Sequence, residues 1–246
     1  MKVIITGLNG TLAPVLAECL KKHNMNIIPW NRSEVSPDDP QQCLEYLQQQ
    51  QPDWICHLAM GGEQWAQLLA KYSLEHDCGF LFTSTAMVFD SEINGPYSPT
   101  DNRNARDDYG KYKIRCEDAI TAVTKEAIIA RIGWQIGEKR GGNNMLEALY
   151  TMSEKGEVRA SSQWFPATSF MTDTCETLWY LMQQRNPGTY HIDSNRECKL
   201  NFYKLVCKLR TLHNANWKVE MTDDYKHDQR LNDERVPVTN LLNRLP

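Results

Sequence analysis

The sequence lacks any long apolar run and any block of basic residues. No stretch approaches the roughly 18 apolar residues of a membrane-spanning helix, and the chain enters a strand-like run at residue 2 without a basic leader. We therefore expect a cytoplasmic protein that has neither a membrane span nor a signal peptide. The net charge of -4 without a Lys/Arg block makes nucleic acid and anionic membranes unexpected partners.

The sequence also lacks the cysteine patterns of disulfide frameworks and zinc sites. Its eight cysteines are scattered, with no CxxC pair and no cluster at ligand spacing. This distribution favours reduced, packed thiols. No group of Asp, Glu and His residues indicates a metal held by the protein. The 246 residues suffice for one enzyme-sized unit with a substantial core.

The chain does have a nucleotide-binding opening. Residues 2–6 (KVIIT) form an apolar run without polar alternation, which is typical of a strand covered on both faces. Gly7, Gly10 and Ala13 follow at three-residue spacing, and a helix pattern covers residues 15–22. Such glycines permit a tight turn and close approach to a pyrophosphate. A glycine turn also occurs in α/β proteins without a nucleotide, but the order at the N-terminus favours a dinucleotide site.

Strand and helix patterns alternate through the first half of the chain. Strand patterns lie at 25–30, 54–60, 79–83 and 127–132, and helix patterns at 40–50, 64–75 and 109–124. This alternation predicts an α/β fold, a Rossmann-type doubly wound parallel sheet that binds ligands beyond the carboxyl ends of its strands. We assign residues 1–135 to this NAD(P)-binding domain.

The second half of the chain is less regular. Helix patterns lie at 141–152, 172–184 and 201–212, the first preceded by a glycine turn, and short strand patterns lie at 188–192 and 217–221. We expect residues 136–246 to form a smaller substrate-binding lobe, with an approximate boundary and some interleaving with the first domain.

Proton-transfer chemistry is indicated by Tyr109 and Lys113, which stand four residues apart in a helix pattern. One helical turn places both on one face, where an ammonium lowers the pKa of a phenol. Composition alone nearly accounts for one such spacing. Thr85 follows the fourth strand and can hold a carbonyl against the Tyr109 phenol, although such hydroxyls often bond only local backbone. A polar loop, residues 91–108, joins the two positions.

These motifs occur in a characteristic order. The series TGxxGxxA, HLA, STxxxVF and YGxxK resembles the extended short-chain dehydrogenase/reductase superfamily. Within it, residues 84–90 (STAMVFD), 109–113 (YGKYK) and 131–134 (RIGW) are most similar to the dTDP-4-dehydrorhamnose reductase family, which has STDYVF, YGKTK and RTSW runs. Residues 165–168 (FPAT) and 188–192 (GTYHI) agree more loosely.

The resemblance implies an NAD(P)H-dependent reductase of a keto-sugar nucleotide or related small carbonyl, with hydride from nicotinamide and a proton from Tyr109. It implies a catalytic triad of Thr85, Tyr109 and Lys113, the last two also contacting the cofactor. Further implied cofactor residues are Gly7, Gly10, Thr11, Leu12, Leu58, Ala59 and Met60. Substrate-side candidates are Thr85, Ala86, Met87, Trp134 and Trp164, with packing a competing interpretation for the tryptophans.

The end of the second strand bears on the choice of cofactor. Asn31, Arg32 and Ser33 offer a cation and a hydroxyl but no acid for a ribose 2′-hydroxyl. These residues are candidates for binding a 2′-phosphate, so NADP(H) is the preferred cofactor and NAD(H) stays open.

Two departures from the family pattern concern the substrate. Only 25 residues separate Ala59 from Thr85, fewer than the family has, and Ala86 and Met87 replace Asp and Tyr. We expect a more apolar pocket, which argues against dehydratase chemistry. A nucleotide sugar is the expected partner, and a homodimer is compatible with the sequence. The alternatives are a catalytically silent dinucleotide-binding regulatory or scaffold protein of the same family, and an NAD-dependent sugar nucleotide epimerase.

Overall fold

The computed structural model describes residues 1–90 and 95–246, so part of the predicted loop at 91–108 lies outside the described residues. The helices are α1 (Ala13–Lys22), α2 (Pro40–Gln50), α3 (Glu63–Glu75), α4 (Asp108–Val123), α5 (Met145–Glu154), α6 (Met171–Gln184) and α7 (Phe202–Leu212). The strands are β1 (Lys2–Thr6), β2 (Asn26–Pro29), β3 (Trp54–His57), β4 (Gly79–Thr85), β5 (Ile128–Ile132), β6 (Trp134–Ile136), β7 (Val158–Ser161), β8 (Trp164–Phe165), β9 (Thr168–Phe170), β10 (Gly188–Ile192), β11 (Val219–Thr222) and β12 (His227–Asp228). Short 3-10 helices cover Ala86–Val88 and Leu241–Asn243.

Six parallel strands form the central sheet, in the order β10-β5-β4-β3-β1-β2. The predicted elements of the first half are all present, with ends shifted by a few residues. This arrangement confirms the predicted Rossmann-type α/β fold.

Strand β1 shows why its sequence has no polar alternation. Val3 and Ile5 face the layer that contains α1 and α6, while Ile4 faces the layer of α2, α3 and α4. All three side chains are fully buried. Because both faces of the strand are covered by helices, an uninterrupted apolar run is needed.

The chain crosses the sheet after β2, since β2 lies on one side of β1 and β3 lies on the other. Doubly wound sheets bind ligands at such a switch point, beyond the carboxyl ends of the strands. Strands β1, β3 and β4 end at Thr6, His57 and Thr85. The predicted glycine turn, the residues after His57 and the predicted catalytic threonine therefore share one edge of the sheet.

Residues beyond 135 contribute to both parts of the molecule. Strand β10 pairs with β5 in the central sheet, and α6 packs against α1. Helices α5 and α7 pack with Val158, Phe170 and Trp217 in a separate cluster. The boundary at residue 135 stays a prediction.

The stretch at 141–152 shows the predicted glycine turn followed by a helix. The helix, α5, begins at Met145. Gly141 and Gly142 have φ of +116° and +69°, outside the helical region, and Asn144 caps the helix.

The helices of the described residues also agree with the expected lack of a membrane span. Across residues 1–90 and 95–246, no helix combines the length and apolar character needed to cross a membrane. The cytoplasmic location stays a prediction.

Candidate active site

The turn after β1 requires glycine. Gly7 has φ +85°, and a Cβ on it would lie 3.0 Å from the backbone nitrogen of Ala59. Gly10 closes the turn by donating its N–H to the Gly7 carbonyl at 2.7 Å. Gly7 is therefore needed both for its backbone conformation and for the close approach to the residues after β3.

A buried threonine and histidine fix the loop after β3. The Oγ1 atom of Thr6 accepts hydrogen bonds from the backbone N–H groups of Leu58 and Ala59, both at 3.1 Å. Its own hydrogen is therefore directed at His57 Nδ1, 2.8 Å away. Burial lowers the pKa of His57 to about 3, so the ring is neutral. Sequence reasoning assigned no role to this pair, although both residues stand at strand ends.

Helix α1 begins beside the glycine turn without a side-chain cap from the described residues. Leu12 is its N-cap residue and has no side-chain acceptor. The free N–H groups and the partial positive charge of the helix start suit a pyrophosphate. The Oγ1 atom of Thr11 accepts a hydrogen bond from the Asn143 backbone at 2.8 Å, which ties this turn to the segment before α5.

The residues after β2 form a polar group around Arg32. Asn31 donates to the carboxylate of Glu34 at 2.8 Å and accepts from the Ser33 hydroxyl at 2.7 Å. The Arg32 guanidinium lies 5.1 Å from the centre of the Trp65 ring. The sequence analysis overlooked Glu34, which brings an acid to the same loop as the predicted cation and hydroxyl.

Most of the predicted dinucleotide residues line one cleft along this edge of the sheet. Those that line it are Gly7, Gly10, Asn31, Arg32, Leu58, Ala59 and Met60. Five predicted cofactor residues are not among the lining residues of the described cleft, namely Thr11, Leu12, Ser33, Tyr109 and Lys113. Leu8, Asn9, Pro29, Trp30 and Trp65 complete it. The close-packed glycine turn and the uncapped start of α1 beside it have the features that a dinucleotide pyrophosphate needs.

Tyr109 reaches Thr85 because α4 packs tightly against the 3-10 helix after β4. The Asp107 side chain caps α4 by accepting from the Gly110 N–H at 2.8 Å. A Cβ on Gly110 would lie 2.2 Å from the Met87 carbonyl oxygen. Only glycine allows this approach, a role that the sequence analysis did not assign.

Lys113 lies one helical turn after Tyr109 and is almost fully buried. Its Nζ donates to the Thr83 carbonyl at 2.8 Å and lies 4.5 Å from the centre of the Phe82 ring. Burial lowers the pKa of Lys113 to about 8, an effect that Glu117 partly offsets. Lys113 is therefore still mostly protonated at neutral pH.

The Tyr109 phenol is 40% exposed. Its pKa lies above the ordinary value because desolvation outweighs the lowering effect of a hydrogen bond with Thr85. The expected lowering by Lys113 is wrong for this structure. The Lys113 Nζ bonds the Thr83 carbonyl and lies 6.0 Å from the centre of the Tyr109 ring. The phenol keeps its proton at neutral pH and can act as a donor.

A second cleft contains the substrate-side residues predicted from the sequence. These are Thr85, Ala86, Met87, Trp134 and Trp164, together with Tyr109. The rings of Trp134 and Trp164 stack with their centres 6.2 Å apart. Sequence reasoning missed the remaining lining residues, which are Ser84, Ile132, Gly133, Gln135, Asn143, Tyr225 and Gln229. None of the described lining residues is an Asp, Glu, Lys, Arg or His.

Arg131 pairs with a carboxylate beneath the site instead of facing a ligand. Its Nε and Nη2 atoms donate to the two carboxylate oxygens of Glu117 at 3.0 and 2.7 Å. Burial alone would raise the pKa of Glu117. The hydrogen bonds and positive charge of Arg131, together with Ser84 and Arg103, outweigh burial, so the pKa lies below its usual value. Glu117 lies one turn after Lys113 on α4, a spacing that could have indicated a partner on the same face.

One cysteine lies beside two other possible metal ligands that the sequence analysis did not group with it. Cys19, His23 and Glu176 bring a thiol, an imidazole and a carboxylate oxygen within 4.8 Å of one another. Burial and Glu176 raise the pKa of the Cys19 thiol to about 12. The thiol is therefore protonated, and it donates a hydrogen bond to Glu176. The i, i+4 spacing of Cys19 on α1 and His23 at its C-cap could have revealed the cluster.

Comparison with known proteins identifies relatives along most of the chain. The RmlD substrate binding domain family matches residues 62–230. The chain is 27% identical over 214 residues to the spore coat polysaccharide biosynthesis protein SpsK of Bacillus subtilis (strain 168), covering 80% of this chain and 75% of that protein.

Solved structures show the same fold. A dTDP-4-dehydrorhamnose reductase from Clostridium acetobutylicum has a TM-score of 0.80 at 21% identity, covering 96% of this chain and 91% of that one. The Bacillus anthracis dTDP-4-dehydrorhamnose reductase in complex with NADP has a TM-score of 0.79 at 20% identity, covering 91% of this chain and 84% of that one. The chain therefore belongs to the RmlD substrate binding domain family and is an NAD(P)-dependent oxidoreductase of the extended short-chain dehydrogenase/reductase type.

Proposed function

We propose that this protein uses NADPH to reduce the carbonyl of a 4-keto sugar nucleotide, with Tyr109 as the proton donor. The observation that carries the proposal is the meeting of Thr85 and Tyr109 in a cleft walled by Trp134 and Trp164. The buried Lys113 ammonium lies behind the phenol. The names of the structural relatives support dTDP-4-dehydrorhamnose as the first substrate to test.

The three predicted catalytic side chains have complementary tasks. A bound nicotinamide dinucleotide supplies the hydride that adds to the carbonyl carbon. The Thr85 and Tyr109 hydroxyls bind the carbonyl oxygen, and Tyr109 donates the proton that completes the alcohol. The Lys113 ammonium, 6.0 Å from the Tyr109 ring centre and fixed by the Thr83 carbonyl, is available to bind the dinucleotide behind the phenol. A hydrogen bond from the Met87 N–H to Thr85 Oγ1 at 3.2 Å holds the threonine in place.

Activity can be tested by following NADPH consumption with dTDP-4-dehydrorhamnose and a panel of other keto-sugar nucleotides. We expect Tyr109→Phe to lower kcat by roughly 10²- to 10⁴-fold because the proton donor is lost. Tyr180→Phe, which removes a hydroxyl on α6 outside both clefts, is the matched control. Unchanged turnover in Tyr109→Phe would show that the catalytic assignment is wrong.

The alternatives give different results in the same assay. A silent regulatory protein binds NADPH but consumes none with any member of the panel. An epimerase interconverts sugar nucleotides without net consumption of the dinucleotide. A homodimer, if it forms, is measured directly by light scattering, and it stays a prediction.

We further propose that the protein prefers NADPH to NADH. Arg32 lines the cofactor cleft and Ser33 follows it in the same loop, so the two can offer a cation and a hydroxyl to a 2′-phosphate, while the Glu34 carboxylate accepts a hydrogen bond from Asn31. Dissociation constants for both dinucleotides test this. We expect Arg32→Ala to weaken NADPH binding about tenfold or more and to leave NADH binding unchanged, with the exposed Lys125→Ala as control. A tenfold preference of the parent protein for NADH would contradict the proposal.

A further inference from the structure

Tyr225 lies on the wall of the substrate cleft and has no place in the predicted catalytic triad. It precedes β12 in the chain, far in sequence from Thr85 and Tyr109, yet it lines the same cleft. Its ring stands edge-on to Trp164, with the centres 5.4 Å apart. The side chain is 45% exposed, so its phenol is accessible.

A chain of hydrogen bonds fixes the direction of the Tyr225 hydroxyl. The Tyr97 hydroxyl donates to the backbone carbonyl of Asp90 at 3.0 Å and lies 2.9 Å from His227 Nε2. With its single hydrogen on that carbonyl, the hydroxyl accepts from the His227 tautomer that carries its proton on Nε2. His227 is buried, which lowers its pKa and keeps the ring neutral. With its proton on Nε2, His227 accepts at Nδ1 from the Tyr225 hydroxyl, 3.1 Å away.

The Tyr225 oxygen therefore has only lone pairs left for a ligand. Its single hydrogen is directed at His227, and a phenol oxygen in this state accepts but does not donate. We propose that Tyr225, held by His227, is a substrate-positioning residue that accepts a hydrogen bond from a hydroxyl of a neutral sugar ring. This inference rests on the proposed function, and it identifies Tyr225 as the side chain of the substrate cleft that orients the sugar.

A second side chain of the same cleft supports a partner rich in hydroxyl groups. Gln135 is 7% exposed and lines the cleft, and its Nε2 donates to the Gly133 carbonyl at 3.0 Å. Its Oε1 has no hydrogen-bond partner among the described residues. A buried acceptor without a donor is costly, and a sugar hydroxyl can satisfy it. No charged side chain of the described lining competes for these contacts.

The test compares binding of dTDP-rhamnose, the product of the proposed reaction, with steady-state kinetics on dTDP-4-dehydrorhamnose at saturating NADPH. Tyr225→Phe removes the hydroxyl, and with it both the accepting oxygen and the hydrogen donated to His227. Tyr180→Phe is the matched control. Loss of one hydrogen bond is expected to raise Kd and KM about three- to tenfold while kcat changes less than about twofold. The control is expected to match the parent.

Two variants of His227 test the orienting role. His227→Leu removes the acceptor for the Tyr225 hydroxyl and is expected to raise Kd and KM as Tyr225→Phe does. His227→Asn can place Oδ1 near the position of Nδ1, and we expect it to restore most of the affinity. Thermal unfolding of each variant identifies any that fail to fold, in which case Tyr225→Phe alone decides.

The outcomes separate this inference from the function on which it rests. Parent-like Kd and KM in Tyr225→Phe would overturn the inference and leave the proposed reduction intact. A fall in kcat with unchanged KM would also overturn it, because it would show that Tyr225 does not position the bound sugar. If the parent protein neither binds dTDP-rhamnose nor reduces the keto sugar, the proposed function is wrong and the inference is overturned with it.

Discussion

At the scale of single residues, the lack of a Cβ at Gly110 lets α4 lie close to the Met87 carbonyl, and this close packing brings Tyr109 to Thr85. The motif residues were predictable because each follows a strong strand or helix pattern in a fixed order. Tyr225 and Gln135 were not, since no periodicity in their segments marks a position that faces the cleft. The effect of Lys113 on Tyr109 was mispredicted because sequence spacing places two side chains on one face but does not say which acceptor the ammonium bonds.

Gly110→Ala tests the residue scale. A methyl group there would meet the Met87 carbonyl oxygen at 2.2 Å, so α4 must shift away from the 3-10 helix that follows Thr85. We expect the free energy of unfolding to fall by about 1–3 kcal/mol and turnover to fall with it. Gly62→Ala adds the same methyl group where its nearest neighbour is the flexible Gln64 side chain, and it should be close to neutral. Equal urea midpoints for the two variants would contradict the packing argument.

At the scale of elements, the site depends on what joins neighbouring strand ends. The sequence predicted β1, β3 and β4 and placed their ends at one edge, because buried parallel strands read as apolar runs. It did not reveal the Thr6 and His57 hydrogen bond between β1 and β3. That contact pairs residues 51 positions apart, and nothing in either local pattern requires it.

Thr6→Val tests the link between strand ends. The variant keeps the shape of the side chain but removes the acceptor for the N–H groups of Leu58 and Ala59. We expect a loss of about 1–3 kcal/mol in the free energy of unfolding and weaker NADPH binding, since these residues wall the cofactor cleft. Thr211→Val, which removes an exposed hydroxyl on α7, is the control. Unchanged NADPH affinity in Thr6→Val would show that this contact does not shape the cleft.

At the scale of the whole molecule, the alternation of strands and helices predicted the fold. In the second half, α6, α7, β10 and β11 lie close to their predicted positions, but the short strands between residues 134 and 170 were not predicted. Strands β6 to β9 are two to four residues long and pair with distant segments, so they leave no recognisable period. The substrate cleft draws on β4, α4, β8 and the segment before β12. Its composition follows from the complete fold and cannot be assembled from local patterns.

Acid stability is a property of the whole molecule to which His57 contributes. The folded pKa of His57 is lowered to about 3, whereas an unfolded histidine titrates near 6.5. Between these values the unfolded state binds a proton that the folded state does not, so His57 destabilises the fold as pH falls from about 6.5 to 3. Asp193, whose pKa burial raises to about 7, acts in the opposite direction.

A comparison of variants isolates the contribution of His57. His57→Asn keeps an acceptor near Nδ1 but does not titrate. We expect its free energy of unfolding to fall less steeply below pH 6.5 than that of the parent, by up to about 1.4 kcal/mol per pH unit. Urea unfolding from pH 4.5 to 7.5 measures both slopes. Parallel curves would contradict a buried, neutral His57.

The central claim is that Tyr109 and the neighbouring dinucleotide cleft reduce a keto sugar. The most direct measurement uses NADPH carrying deuterium at the transferable position of the nicotinamide, with dTDP-4-dehydrorhamnose and mass spectrometry of the sugar product. We predict that the parent protein forms dTDP-rhamnose with a single deuterium on carbon, and that Tyr109→Phe forms it about 10²-fold more slowly or worse. A product without deuterium, or equal rates for the parent and Tyr109→Phe, would contradict the account.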